Sequence, residues 1–190
     1  MASVQENLVS RRSIYRFDKR PVPRECLERG FEAARHAPCH KQTHPWRFYV
    51  LGPDSRNKIV DVAETLSREK SARAGEVDAE KMVEKARSKI LESPVLIAVT
   101  SARSADDSFR AEEDYAATVC ALHNLVLSLW DQGIGCQWST GSITRDPATY
   151  AMLGIREAAH RVIGFLKVGY PAVVPEREKK AIDEIRFYLD

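Results

Sequence analysis

The chain of 190 residues is short of several things that would settle a function early. It has no CxxC pair: its four cysteines, Cys26, Cys39, Cys120 and Cys136, are scattered. That spacing is best read as free thiols in a reducing compartment, with no disulfide stapling expected. No charge sign dominates, since 29 basic residues face 27 acidic ones for a net charge of +2. Such a balance gives no bulk electrostatic drive toward nucleic acid or an anionic membrane. No apolar run approaches the roughly 20 residues of a membrane-spanning helix, and the opening "MASVQENLVSRRS" lacks the apolar core of a secretory leader. A cytoplasmic location is therefore expected. Internal repeats, low-complexity tracts and linker-like breaks in composition are also missing, which leaves one domain over residues 1–190. Finally, no G-x-G-x-x-G follows a predicted strand, and Gly133 and Gly135 sit in a helix-to-strand turn. The dinucleotide-binding fingerprint of a doubly wound fold is thus excluded.

The residues that are present alternate irregularly between helix and strand patterns and predict a sheet with helices packed on it. Pro23 opens a helix with Leu27, Phe31 and Ala34 on one face, ending before Pro38. "WRFYVLG" reads as a strand stopped at Gly52-Pro53. The small and polar stretch Ser67 to Asp78 reads as a mobile surface excursion. "AEKMVEKARSKIL" is a solvated helix with one apolar stripe, Met82, Ala86 and Ile90. "PVLIAVTS" is a buried strand. From Tyr115 to Trp130 the chain is apolar on most sides of a helix, with Val119, Leu122, Val126 and Leu129 on one face and Ala116, Cys120, Leu127 and Trp130 on the rest. A helix of that kind belongs in the middle of a fold or in a subunit interface, and Cys26 and Cys120 are expected to be buried as small hydrophobes. "GIGCQWSTG" and "RVIGFLKVGYP" supply two further strands, and Pro147 opens a last helix.

Three clusters carry chemistry. In "RRSIYRF", Arg11, Arg12 and Ser13 offer guanidinium forks and a hydroxyl suited to a phosphate, or else form a solvated basic surface. "HAPCHKQTHPWRF" holds His36, Cys39, His40 and His44, a possible zinc set. Pro38 and Pro45 break the helix that would align His40 with His44, and adjacent Cys39 and His40 point apart in extended chain. A Cys39 nucleophile lacks a visible orienting partner. In "QWSTGSIT", Trp138 alternates with Gln137 and Ser139, and Ser139, Thr140 and the neighbouring glycines let a flat ligand approach the backbone.

Taken in order, "RRSIYRFDKRPVP", "EAARHAPCHKQTHPWRFYV", "NLVLSLWDQGIGCQWSTG" and "VIGFLKVGYP" resemble the nitroreductase family of flavoproteins over nearly the whole chain, and most closely its compact single-domain branch. The resemblance implies an α+β fold with a mainly antiparallel central sheet flanked by helices, and an intertwined homodimer whose shared sites each bind FMN non-covalently. It implies NAD(P)H as co-substrate and a small electron-poor acceptor, such as a nitroaromatic or a quinone, reduced in ping-pong fashion through flavin N5. Carried over by position, Arg11, Arg12 and Ser13 grip the phosphate and ribityl chain, and His36 and His40 reach the flavin across the dimer interface. Trp138, Ser139 and Thr140 line the ring or its tail, and Lys180, or neighbouring Lys179, meets the phosphate. No catalytic side chain and no metal are implied. Many members carry Ser and Asn where this chain has Cys39 and His40-Lys41, so their substrate preference does not transfer. The same fold also serves dehalogenation and flavin fragmentation, and a flavin-binding module without turnover is a further alternative.

Overall fold

A computed structural model describes residues 3–190. Its elements in chain order are α1 (Val4–Ser10), α2 (Arg24–Arg35), β1 (Trp46–Val50), α3 (Pro53–Ala74), α4 (Ala79–Leu91), β2 (Val95–Ala102), α5 (Ser108–Asp131), β3 (Gly135–Ser139), α6 (Pro147–Leu153) and β4 (His160–Gly169). The strands form one antiparallel sheet in the order β1-β2-β4-β3, so β3 is an edge. The α+β expectation is met.

Alternation along β2 sends Ile97 and Val99 to one face and Leu96 and Ala98 to the other. Both faces are covered, which is why the strand reads as an almost unbroken apolar run. On the first face lie α2 and α5, with Leu27, Ala34, Leu122, Leu125 and Leu129 against Leu166 and Val168. On the second lie α3, α4 and α6, contributing Ile59, Val60, Ile90 and Tyr150 around Phe165. A bulge in β4 serves both packings: Val99 faces Gly164 and Thr100 faces Val162, so Ile163 has no opposite residue. This extra residue lets Ile163 and Phe165 point to different faces although they are two apart.

Two expectations need correction. Most of the Ser67 to Asp78 stretch is helix, because α3 continues to Ala74 and ends at Gly75, whose φ of 64° is left-handed, leaving only residues 75–78 as the connection to α4. Ser71 is buried there, and the pairs Glu64–Arg68 and Glu69–Arg73 at i,i+4 support the extra turns. Cys120 is exposed rather than buried, while Cys26 is half-buried and Cys136 is the buried thiol. Ala116, Cys120 and His123 form an exposed stripe on α5, the side of that apolar helix that none of the described residues covers.

Candidate functional site

The site is built along the edge strand. After α1 the chain leaves in extended form, and Ser13 bridges Cys136 in parallel with Ile14 N–H donating to the Cys136 carbonyl at 2.9 Å. Ile14 is fully buried against Gly135, where a Cβ would collide with its Cγ1. That fit pins "RRS" beside the start of β3. Arg12 is already occupied, donating from Nη1 to the carbonyls of Val9 at 2.8 Å and Arg11 at 2.9 Å. Arg11 has no hydrogen-bond or ion-pair partner among the described residues, and its charge sits near His123 and Cys136. Burial and then Arg11 hold the His123 imidazole below its usual range. Burial pushes the Cys136 thiol far up, against a smaller pull from Arg11, so it stays protonated.

Beyond Cys136 the outer edge of β3 is unpaired among the described residues. Trp138 pairs with Leu166, placing its side chain on the α5 face, while Gln137 and Ser139 take the other face, as their alternation predicts. The Trp138 indole donates from Nε1 to the carbonyl of the bulged Ile163 at 3.2 Å and lies across Gly164. A Cβ at Gly164 would meet both Trp138 Nε1 and, at 2.9 Å, the Ser139 carbonyl. The strand then turns at Gly141, whose φ of 150° and ψ of −170° belong to a region only glycine visits freely. Thr140 and Gly141 stand between two cavities. One, of about 910 Å³, is lined by Tyr115 and by Arg103, Arg145 and Arg161. The other, of about 510 Å³, runs under α3 and α4.

The histidine loop lies elsewhere. Lys41, Gln42 and His44 all have left-handed φ, of 52°, 56° and 44°, a strain of about 1–3 kcal/mol per residue that the surroundings must hold. Holding it are Thr43 Oγ1, donating to buried Asp114 at 2.6 Å, and His40 Nδ1, 2.9 Å from Glu113. His44 sits edge-on to Trp46 with its Nδ1 3.9 Å from Cys39 Sγ, and His36 pairs with Glu32 at 3.1 Å. Of the four candidate zinc ligands only Cys39 and His44 thus meet, while His36 and His40 turn to glutamates, and no group of three or more residues that could hold a metal occurs among the described residues. Nor does one chain bring His40 to Arg11, since His40 is held at Glu113 while the charge of Arg11 is felt at His123. Glu113 and His123 are ten residues apart on α5, roughly 15 Å along the axis.

The tail returns past the N-terminal cluster. Pro171 bridges Phe17, and Val174 to Glu178 line an open cleft with Ser10 and Arg12. Lys179 and Lys180 follow, exposed and beyond that cleft. Sequence reasoning missed Asp114, a buried carboxylate in an apolar helix, the arginine cavity, and Lys167 inside the apolar run of β4. A lone charge within a buried pattern was the available signal for Lys167, whereas Asp114 ends the acidic run Glu112-Glu113-Asp114 and nothing in the sequence sets it apart.

Comparison with known proteins follows the same outline. The nitroreductase family model matches residues 8–170. The Bacillus subtilis protein YfhC, which its name groups with the NAD(P)H nitroreductases, is 28% identical over 94% of this chain and 89% of its own. A solved nitroreductase-like family protein from Bacillus cereus, 27% identical, gives a TM-score of 0.82 over 100% of this chain and 97% of that one. An iodotyrosine deiodinase solved with FMN and 3-iodo-L-tyrosine, 22% identical, shares the fold at a TM-score of 0.76 over 99% and 100% of the two chains.

Proposed function

The chain belongs to the nitroreductase family, and on that premise we propose that it is an FMN-dependent NAD(P)H oxidoreductase reducing small, flat, electron-poor compounds such as nitroaromatics or quinones. One observation carries the reading: the guanidinium of Arg11, near Cys136, and the edge from Trp138 to Thr140, both without partners among the described residues, lie at opposite ends of one strand edge. Thr140 lies four residue steps beyond Cys136, roughly 13 Å along extended chain. FMN is a phosphate and a flat ring joined by a flexible polar chain, and this edge offers a cation, a hydroxyl and free backbone groups in that sequence.

Arg11 and Ser13 would take the phosphate end, with Arg12 fixing the turn that presents them. Ser139 and Thr140 would hold the ring through backbone and hydroxyl donors, and Trp138 would border it. Bound there, FMN would accept a hydride from NAD(P)H at N5 and pass electrons to a second substrate in the same pocket, a ping-pong order that needs no protein nucleophile. A second copy of the chain would complete the site. The uncovered stripe of α5 and the exposed apolar tail suit a homodimer, and across it His36 and His40 of the second copy would approach the flavin. Lys179 or Lys180 would reach a phosphate only with the tail rearranged around that dimer. Among the described residues no helix is long and apolar enough to cross a membrane.

The test is turnover. Purified protein should be yellow, release FMN on denaturation, and oxidise NADH or NADPH when menadione or a nitroaromatic is supplied. A yellow protein that oxidises neither nucleotide with any such acceptor would instead be a flavin-binding module. Product analysis separates reduction of an acceptor from cleavage of a carbon–halogen bond on the same fold.

A further inference from the structure

Lys167 lies in β4 between Leu166 and Val168, two fully buried residues, and is itself only 8% exposed. It faces Leu96 on one neighbouring strand and Gln137 on the other. No hydrogen bond or ion pair to it occurs among the described residues, and its Nζ is not fully enclosed but opens toward a groove. Burial, followed by the nearby charge of Lys89, draws its ammonium below the usual lysine range, with Glu92 opposing. The side chain lines the 510 Å³ groove under α3 and α4, within the size range of small-ligand sites. The inner surface of that groove is apolar, with Leu96, Ile90 and Phe165, and one wall is the Ser139 to Ile143 turn of the edge strand. Lys70, Lys85 and Lys89 stand at its exposed rim, against Glu76 as the one acidic lining residue.

A groove with an apolar inner surface, a cation without a protein partner among the described residues opening into it, and a basic rim is complementary to a flat ring bearing a negative charge. We propose that this groove binds an aromatic carboxylate, its ring against Phe165 and the Ser139 to Gly141 turn and its carboxylate on Lys167. The ligand becomes the electron acceptor only if the flavin reading of the Thr140 edge holds; the binding itself does not depend on that reading. Lys167 is then a specificity-determining residue that selects anionic over neutral acceptors.

The pair 4-nitrobenzoate and methyl 4-nitrobenzoate tests this, since the two share a ring and differ in charge. Calorimetry on the FMN-loaded protein should show the acid binding about tenfold or more tighter than the ester, the scale of one charge-assisted contact. The acid-to-ester ratio of kcat/KM should follow. In Lys167→Met the preference should fall to near unity, and Lys167→Arg should keep most of it. Equal far-UV circular dichroism and FMN content establish that each variant is folded. An absent preference in the parent protein, or one that survives in Lys167→Met, overturns the assignment. Calorimetry needs no turnover, so the two readings fail separately. Lys167-dependent binding without reduction of either compound contradicts the enzyme and leaves the groove. Reduction of both compounds with no Lys167-dependent preference contradicts the groove and leaves the enzyme.

Discussion

Arg11 and Arg12 are neighbours in sequence with different partners in the fold. Arg12 closes the end of α1 on two carbonyls, whereas Arg11 answers to nothing among the described residues. Arg11→Ala should therefore lower FMN affinity about tenfold or more, the value of a lost charged contact. Arg12→Ala should lose less affinity and also about 0.5–1.5 kcal/mol of stability. Fluorescence titration with FMN and urea unfolding of both variants check the pair, and equal affinity losses without a stability difference would reverse the assignment. The guanidinium cluster itself was legible in the sequence. Its division of labour was not, because that depends on where α1 stops. Gly164 was not legible either, since a glycine in a strand does not announce what crosses it. Gly164→Ala should cost about 1–3 kcal/mol through overpacking against the Trp138 indole and the Ser139 carbonyl. Thermal unfolding, with FMN affinity falling in parallel as Trp138 is displaced, checks this.

At the scale of elements, periodicity located most of the structure. α2, α4 and α5 and the strands at "PVLIAVTS" and "GIGCQWSTG" form where their patterns place them, because the faces that repeat are the faces the sheet covers. The failure at Ser67 to Asp78 has the same cause in reverse. Small polar residues resemble a loop until a neighbouring helix covers them, and α4 packs alongside α3 only in the folded chain. Cys120 failed because an apolar helix does not reveal which of its sides will be covered. The end of α4 also depends on a contact remote in sequence. Arg56, on α3, donates to the carbonyls of Ile90 and Ser93 at 2.6 Å each and of Pro94 at 3.2 Å, in a half-buried position where burial lowers its pKa. These are orphan carbonyls of a helix terminus and the turn after it. Arg56→Met should destabilise the protein by about 2–3 kcal/mol, read as a lower urea midpoint at an unchanged slope. A change within 0.5 kcal/mol would show that water serves those carbonyls equally well.

The whole molecule carries more apolar surface than one chain can bury. Ile182, Ile185, Phe187, Tyr188 and Leu189 are 65–93% exposed along the tail, and Ala116 and Cys120 are uncovered on α5. The proposed homodimer would cover exposed surface of this kind. Deleting residues 176–190 should convert a dimer to monomer in sedimentation and release FMN; a truncated protein that stays dimeric with full FMN would show that the tail plays neither part. Nothing in the order of residues along one chain announces where His36 and His40 lie relative to Arg11, because that depends on how α2 and the loop after it dock along α5. The central claim is that the β3 edge holds a flavin which NAD(P)H reduces and a small acceptor reoxidises. Anaerobic addition of NADH or NADPH to the FMN-loaded protein tests it most directly. The account predicts that the visible flavin band bleaches with one equivalent of nucleotide per bound FMN and returns when 4-nitrobenzoate or menadione is added. A band that persists under excess NADH and NADPH alike, or a protein that takes up no FMN, would contradict it.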